Sequence, residues 1–218
     1  MNKDILNYQT FIKDTCPTAW TDHFWFAAEL VKWFKAKTVV DLGVDYGYST
    51  FAFATHGQGK VFGIDSFEGD SHAGQKNTLN TAMRTLYDAK HTFGVNNVEL
   101  IPAYFDQVAA IWDREIDILH IDGLHTYEAV KHDYFTWAKF THERSVVLFH
   151  DVHSYPDTVG KLFYELSGYK FVRDGSFGLG VLCQDKMIYE FALSLSKSID
   201  NYLKSFEEPV QVTVEESE

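Results

Sequence analysis

Apolar residues recur along this chain in short runs separated by helix-period segments. The runs are Thr38–Leu42, Lys60–Ile64, Val98–Ile101, Asp117–Ile121, Ser145–Phe149, Tyr169–Val172 and Gly180–Cys183. Each is bounded by turn-forming residues and has the length of a buried strand. Between them the spacing predicts helices over about 49–56, 74–92, 105–112, 125–140 and 156–167. Thr21 or Asp22 is placed to cap a further helix from His23 to Lys35, with Phe24, Ala27, Ala28, Val31 and Phe34 on one face. A last helix over 186–206 carries Ile188, Phe191, Leu195, Ile199 and Leu203 on one side, to dock on its own core or on another subunit. Regular βα alternation predicts an α/β fold, a mostly parallel sheet covered on both faces. The last two strands flank a turn with Gly175 and Gly178 and are expected to form an antiparallel hairpin at one edge. The expected division is a helical segment at 1–36, a core at 37–185, a helix at 186–208 and an acidic tail at 209–218.

Composition narrows the class. With 218 residues, 45% hydrophobic and 16% aromatic, the chain has the makings of one ordinary globular core. A net charge of -12 without a basic cluster argues against a nucleic-acid partner. Two cysteines far apart, Cys16 and Cys183, form neither a disulfide framework nor a zinc pattern. The first residues lack the apolar core of a signal peptide, and no run reaches the roughly 18 apolar residues of a membrane span. A cytoplasmic protein without membrane contact is the expectation.

The chemistry gathers where strands end. After the first strand the chain reads DLGVDYGYS, a turn with Gly43 and Gly47 leading into a helix. In an open parallel sheet this crevice takes nucleotide-like ligands. A dinucleotide fingerprint would need glycines at 43, 45 and 48, and the chain has Gly43, Asp45 and Tyr48, so a ligand without phosphates is expected and a nicotinamide dehydrogenase disfavoured. Asp65, ending the second strand, is placed to accept hydrogen bonds from ribose hydroxyls. Asp122 ends the fourth strand with His125 three residues on, and FHDVH ends the fifth. Asp122, His150 and Asp151 together suit Mg²⁺ or a similar cation, and His125 is positioned to act as a general base. The loop Phe67–Gly74, with Gly69 and Gly74 as hinges, is placed to cover the site, and Asp70 and His72 to touch a substrate.

Four segments, DLGVDYGYS at 41–49, GIDSFEGDSHAG at 63–74, HIDGLHTYEAVKHD at 120–133 and FHDV at 149–152, resemble the class I S-adenosylmethionine-dependent methyltransferases. The resemblance is to the small-molecule branch with the macrolide sugar O-methyltransferases and the cephalosporin-hydroxylase-like proteins. It implies a Rossmann-like three-layer sandwich whose seven-stranded sheet has an antiparallel last strand. It implies a cofactor held along Asp41, Gly43, Gly47, Ser49, Asp65, Ser66, Tyr104 and Asp122. It further implies Asp122, His150 and Asp151 as metal ligands and His125 as the base. His150 stands where an acidic residue is usual, which leaves Mg²⁺, Mn²⁺ or no metal open. O-methylation of a hydroxyl on a sugar or other small polar acceptor is the first expectation. A non-catalytic S-adenosylmethionine-binding module in a biosynthetic assembly is the alternative, and self-association stays open.

Overall fold

The computed structural model describes residues 3–71 and 74–207. His72 and the tail from 209 lie outside the described residues. The chain runs through α1 (Lys3–Thr15), a short 3₁₀ turn (Thr21–His23), α2 (Phe24–Phe34), β1 (Thr38–Leu42), α3 (Tyr48–Phe53) and β2 (Lys60–Asp65). A two-residue pair, β3 (Gly69–Asp70) and β4 (Gly74–Gln75), precedes α4 (Leu79–Phe93), β5 (Val98–Pro102), α5 (Phe105–Ala109) and β6 (Ile116–Ile121). Then come α6 (Tyr127–Ala138), β7 (Thr141–Phe149), a wide turn at Pro156–Gly160, α7 (Lys161–Glu165), β8 (Tyr169–Arg173), β9 (Leu179–Cys183) and α8 (Lys186–Glu207).

Seven strands form one sheet in the order β5-β2-β1-β6-β7-β9-β8. β5, β2, β1, β6 and β7 are mutually parallel. The last strand among the described residues, β9, is antiparallel to both β7 and β8. The expected hairpin is present, but β9 lies inside the sheet and β8 forms the edge. Alternation along the strands splits the core in two. Val39, Val61, Ile118, Val146, Leu148 and Val181 face one layer, which holds residues of α1, α2, α3 and α8. Val40, Leu42, Ile64, Leu119, Ile121 and Phe149 face the layer of α5, α6 and α7.

Several boundaries differ from the pattern for identifiable reasons. α2 has no side-chain cap, because Asp22 spends its carboxylate on the N–H and Oγ of Ser176, far away in sequence. α4 starts at Leu79, later than its spacing suggests, because β4 pairs with β3 and the Lys76 N–H bonds the Glu68 carbonyl. α8 docks on its own core: Ile188, Ala192 and Ile199 are buried there, and Arg173 reaches up from β8 to Ser196 and Asp200.

Two positions lend themselves to measurement. Gly43 has φ +97°, and a Cβ there would lie 1.9 Å from the carbonyl oxygen of Asp122. Gly43→Ala is therefore expected to lose about 3 kcal/mol or more in urea unfolding, since both backbone strain and collision with a neighbouring strand end oppose it. Asp133, on α6, is 8% exposed, and burial pushes its carboxyl up to about 7. The unfolded carboxyl ionises near 3.8, so between that value and about 7 the native state holds the extra proton. Stability contributed by this group thus falls as pH rises through that window, with the full cost present above about 7. Asp133→Asn should raise the melting temperature at pH 8 by several degrees and leave it nearly unchanged at pH 4.

Candidate active site

Parallel pairing brings the carboxyl ends of β1, β2, β6 and β7 to one rim. There Gly43 follows β1, Asp65 ends β2, Asp122 follows β6, and His150 and Asp151 follow β7. The glycine turn is shaped by backbone demands. Gly47 has φ +104° and caps α3, and Asp45, between the two glycines, is itself at φ +48°. Position 45 needs the left-handed conformation that glycine favours, and aspartate is among the residues that tolerate it. Its charge is not bare: Lys76 Nζ lies 3.0 Å from Asp45 Oδ2. Tyr48 is buried, packing edge-on to Phe24.

Asp41 and Ser49 occupy a different place from the one their motif suggested. Asp41 is fully buried beneath the turn. Its Oδ2 accepts from Ser49 Oγ (2.8 Å) and Thr50 Oγ1 (2.5 Å), and His120 Nδ1–H donates to Oδ1 (2.6 Å). The carboxylate joins β1, α3 and β6 rather than offering an oxygen to the cleft, and the Ser49 hydroxyl is spent on it.

A cleft of about 430 Å³ opens above the rim, lined by Gly43, Asp65, Ser66, Tyr104, Phe105, Asp122, Gly123 and His125 among others. Asp65 Oδ2 accepts the Asp45 N–H (2.8 Å) and Oδ1 the Phe67 N–H (2.7 Å), which aims the carboxylate into the cleft. Burial raises its pKa against the pull of those amides. Tyr104 is exposed at the far wall, its hydroxyl donating to Glu68 (2.9 Å). Gly69, Asp70 and Lys76 line one side of the cleft. A smaller recess of about 160 Å³ adjoins it, lined by Thr18, Trp20, Tyr46, Tyr48, Ser49, Asp122, His150 and Asp151. A larger groove of about 590 Å³, lined by residues of α1 and by Thr55, His56, Thr92 and Phe93, lies away from the strand ends.

Between cleft and recess sit two carboxylates and two imidazoles. His125 Nε2 is 2.8 Å from Asp151 Oδ2 and 3.4 Å from Asp122 Oδ1. His150 Nδ1 is 3.3 Å from Asp122 Oδ2 and 3.5 Å from Asp151 Oδ2. The His125 ring stacks on Tyr155, 4.4 Å between centroids and 6° from parallel. Burial disfavours charge on every member, yet mutual attraction wins. Hydrogen bonds to Asp122 and Asp151 lift His125 to about 9, and the Asp122 charge lifts His150 to about 10. Asp122 and Asp151 are held below the usual carboxylate range by the same partners.

The donor set fits a divalent cation. Asp122, His125 and Asp151 each bring a ligand atom within 4.8 Å of the others. Nδ1 of His150 is buried and faces both carboxylates at 3.3 and 3.5 Å, so on giving up its proton it would be a further donor to a cation held there. Mixed carboxylate and imidazole donors suit Mn²⁺ at least as well as Mg²⁺. The motifs did not point to Lys76, Tyr155, Trp20 or Ser176. Only the aromatic content of the segment 17–25 and the glycines of the last turn were signals that these segments approach the rim.

The comparisons with known proteins agree with this architecture. A family model described as "Methyltransferase domain" matches residues 40–152. A putative caffeoyl-CoA O-methyltransferase from Staphylococcus aureus has a similar structure, with TM-score 0.61 and 16% identity over 83% of this chain and 91% of that one. An O-methyltransferase from Bacillus cereus, solved with SAH, gives TM-score 0.58 and 19% identity over 84% and 91%. TomG from Streptomyces achromogenes, an O-methyltransferase of tomaymycin synthesis solved with SAM, gives 0.57 and 16% over 85% and 91%. An uncharacterized protein of Sinorhizobium fredii, y4gI, is 29% identical over 198 residues, 84% of this chain. The chain spans only 21% of the length of that relative. Among the described residues no helix is long and apolar enough to cross a membrane. Matched over more than half its length, the chain belongs to the methyltransferase-domain family and has the class I S-adenosylmethionine-dependent methyltransferase fold.

Proposed function

We propose that the protein methylates a hydroxyl of a small polar acceptor, a sugar or a similar compound, using S-adenosylmethionine and assisted by Mg²⁺ or Mn²⁺. The observation that carries this is the meeting of Asp122, His125, His150 and Asp151 beside a cleft that presents Asp65. A module that merely bound the cofactor would have no use for this second cluster. The O-methyltransferase neighbours support the reaction class.

When bound, the cofactor supplies an electrophilic methyl group on a sulfonium sulfur. Asp65 would accept from the ribose hydroxyls, Ser66 and Tyr104 would border the base, and the turn from Gly43 to Gly47 would let the methionine part approach the backbone. Asp122, His150 and Asp151 would hold the cation, which supplies charge to lower the acceptor hydroxyl's pKa. His125 takes the proton of that hydroxyl as its oxygen bonds the methyl carbon and the sulfur leaves with the electron pair. Positioning two bound reactants in line is the larger part of the rate gain.

The protonation balance favours an assisted site. Hydrogen-bonded to Asp122 and Asp151, His125 keeps its proton to about 9. Asp122 and Asp151, if they held a cation, would attract the His125 proton less, and His125 would return toward its ordinary range.

Titration calorimetry with S-adenosylhomocysteine, with and without Mg²⁺, tests the reading at its root. Micromolar binding is expected, and a chain that takes up none of it refutes the cofactor roles of Asp65, Ser66, Tyr104 and the glycine turn together. His125→Ala should cut turnover by about 100-fold or more while S-adenosylhomocysteine affinity stays near normal. In wild-type enzyme treated with EDTA, residual activity should climb with pH toward a limb near 9, and added Mn²⁺ should move that limb down.

A further inference from the structure

His150 is over-determined in a way that the site chemistry alone does not require. Its ring is 4% exposed and packs edge-on to His23, with centroids 5.8 Å apart. Nε2–H donates to the carbonyl of Ser176 at 2.8 Å. Since a carbonyl only accepts, Nε2 carries the proton, and Nδ1 is the atom left facing Asp122 and Asp151.

Ser176 is gripped in turn. Its N–H (2.8 Å) and Oγ (3.0 Å) both reach Asp22 Oδ2, and the Asp22 N–H reaches Ser176 Oγ (3.0 Å). The two residues are 154 positions apart in sequence. The turn they close is unusual: Ser176 and Phe177 have φ +37° and +68°, though neither is glycine. Gly175 is at φ +84°, and a Cβ there would meet Asp22 Oδ2 at 2.7 Å. Backbone in such regions persists only where its surroundings hold it. Backbone bonds from His153 and Val152 hold Phe177 and Gly178, and Ser176 itself is held by a carboxylate just before α2, on the segment whose Thr18 and Trp20 wall the recess.

We propose that Asp22 is a positioning residue: through the carbonyl of Ser176 it locks the His150 ring so that Nδ1 faces the two carboxylates. Outer partners of this kind fix the tautomer and orientation of histidines that serve metals. The inference rests on the proposed function only for its consequence, that Nδ1 serves a divalent cation. Without Asp22 the turn keeps its bonds to His153 and Val152 but loses its anchor at Ser176, and the carbonyl's hold on the buried ring weakens.

The test uses the full chain, labelled with ¹⁵N-histidine, as wild type, Asp22→Ala and Asp22→Asn. One readout is the ring N–H signal from Nε2 of His150, assigned by its loss in His150→Gln. The second is the Mn²⁺ dissociation constant, and S-adenosylhomocysteine affinity reports that the cleft is intact. Asp22→Ala should lose the slowly exchanging N–H signal and weaken Mn²⁺ by about 10- to 100-fold with the cleft affinity preserved. Asp22→Asn keeps an acceptor oxygen for Ser176 and should restore both. If Asp22→Ala fails to fold, Ser176→Ala carries the test: the carbonyl stays, the hydroxyl that Asp22 grips is gone, and the same losses should appear in smaller measure. A wild-type chain that ignores Mn²⁺ but loses the ring signal on Asp22→Ala retires the cation and upholds the clamp. An Asp22→Ala or Ser176→Ala protein that keeps the wild-type ring signal overturns it.

Discussion

The join between the strand ends of β1 and β6 rests on the buried carboxylate of Asp41. A charge in that position is costly unless it is fully hydrogen-bonded. Three donors from two other elements meet it: Ser49 and Thr50 of α3, and His120 of β6. The result is a rigid joint between the strand that carries the glycine turn and the strand that delivers Asp122. Gly43 can then lie against the Asp122 carbonyl, and the cleft floor has one shape.

The strand ends were legible because two simple rules govern them. Short apolar runs alternating with helices force a parallel sheet, and a parallel sheet delivers its strand ends to one edge. Gly43, Asp65, Asp122 and Asp151 could be placed together on that basis. The direction of Asp41 was also within reach. Along β1, Val39 faces the α3 layer and Val40 the other, so residue 41 must point back under α3. At Asp45 the residue type was legible, but its left-handed backbone and its Lys76 partner were not.

Other features leave no local trace. Nothing near Asp22 announces Ser176, and a cap before a helix is the ordinary use of such a residue. The hairpin of β8 and β9 was readable, but its insertion order was not, since strand order is set by packing across the whole sheet. The balance of charge at the cluster is likewise a property of four side chains from two strand ends. Two carboxylates and two imidazoles neutralise each other when empty of other cations, and this is what makes the site both stable to burial and ready to exchange protons for a metal.

The placement of β9 has a consequence for how the molecule comes into being. Pairing with β7 carries the turn at Gly175–Gly178 to the rim, where Ser176 meets His150. A chain still leaving the ribosome can form the sheet through β7 and yet present an unsupported imidazole. The pocket becomes whole only when one of the last strands to be synthesised slots between its neighbours.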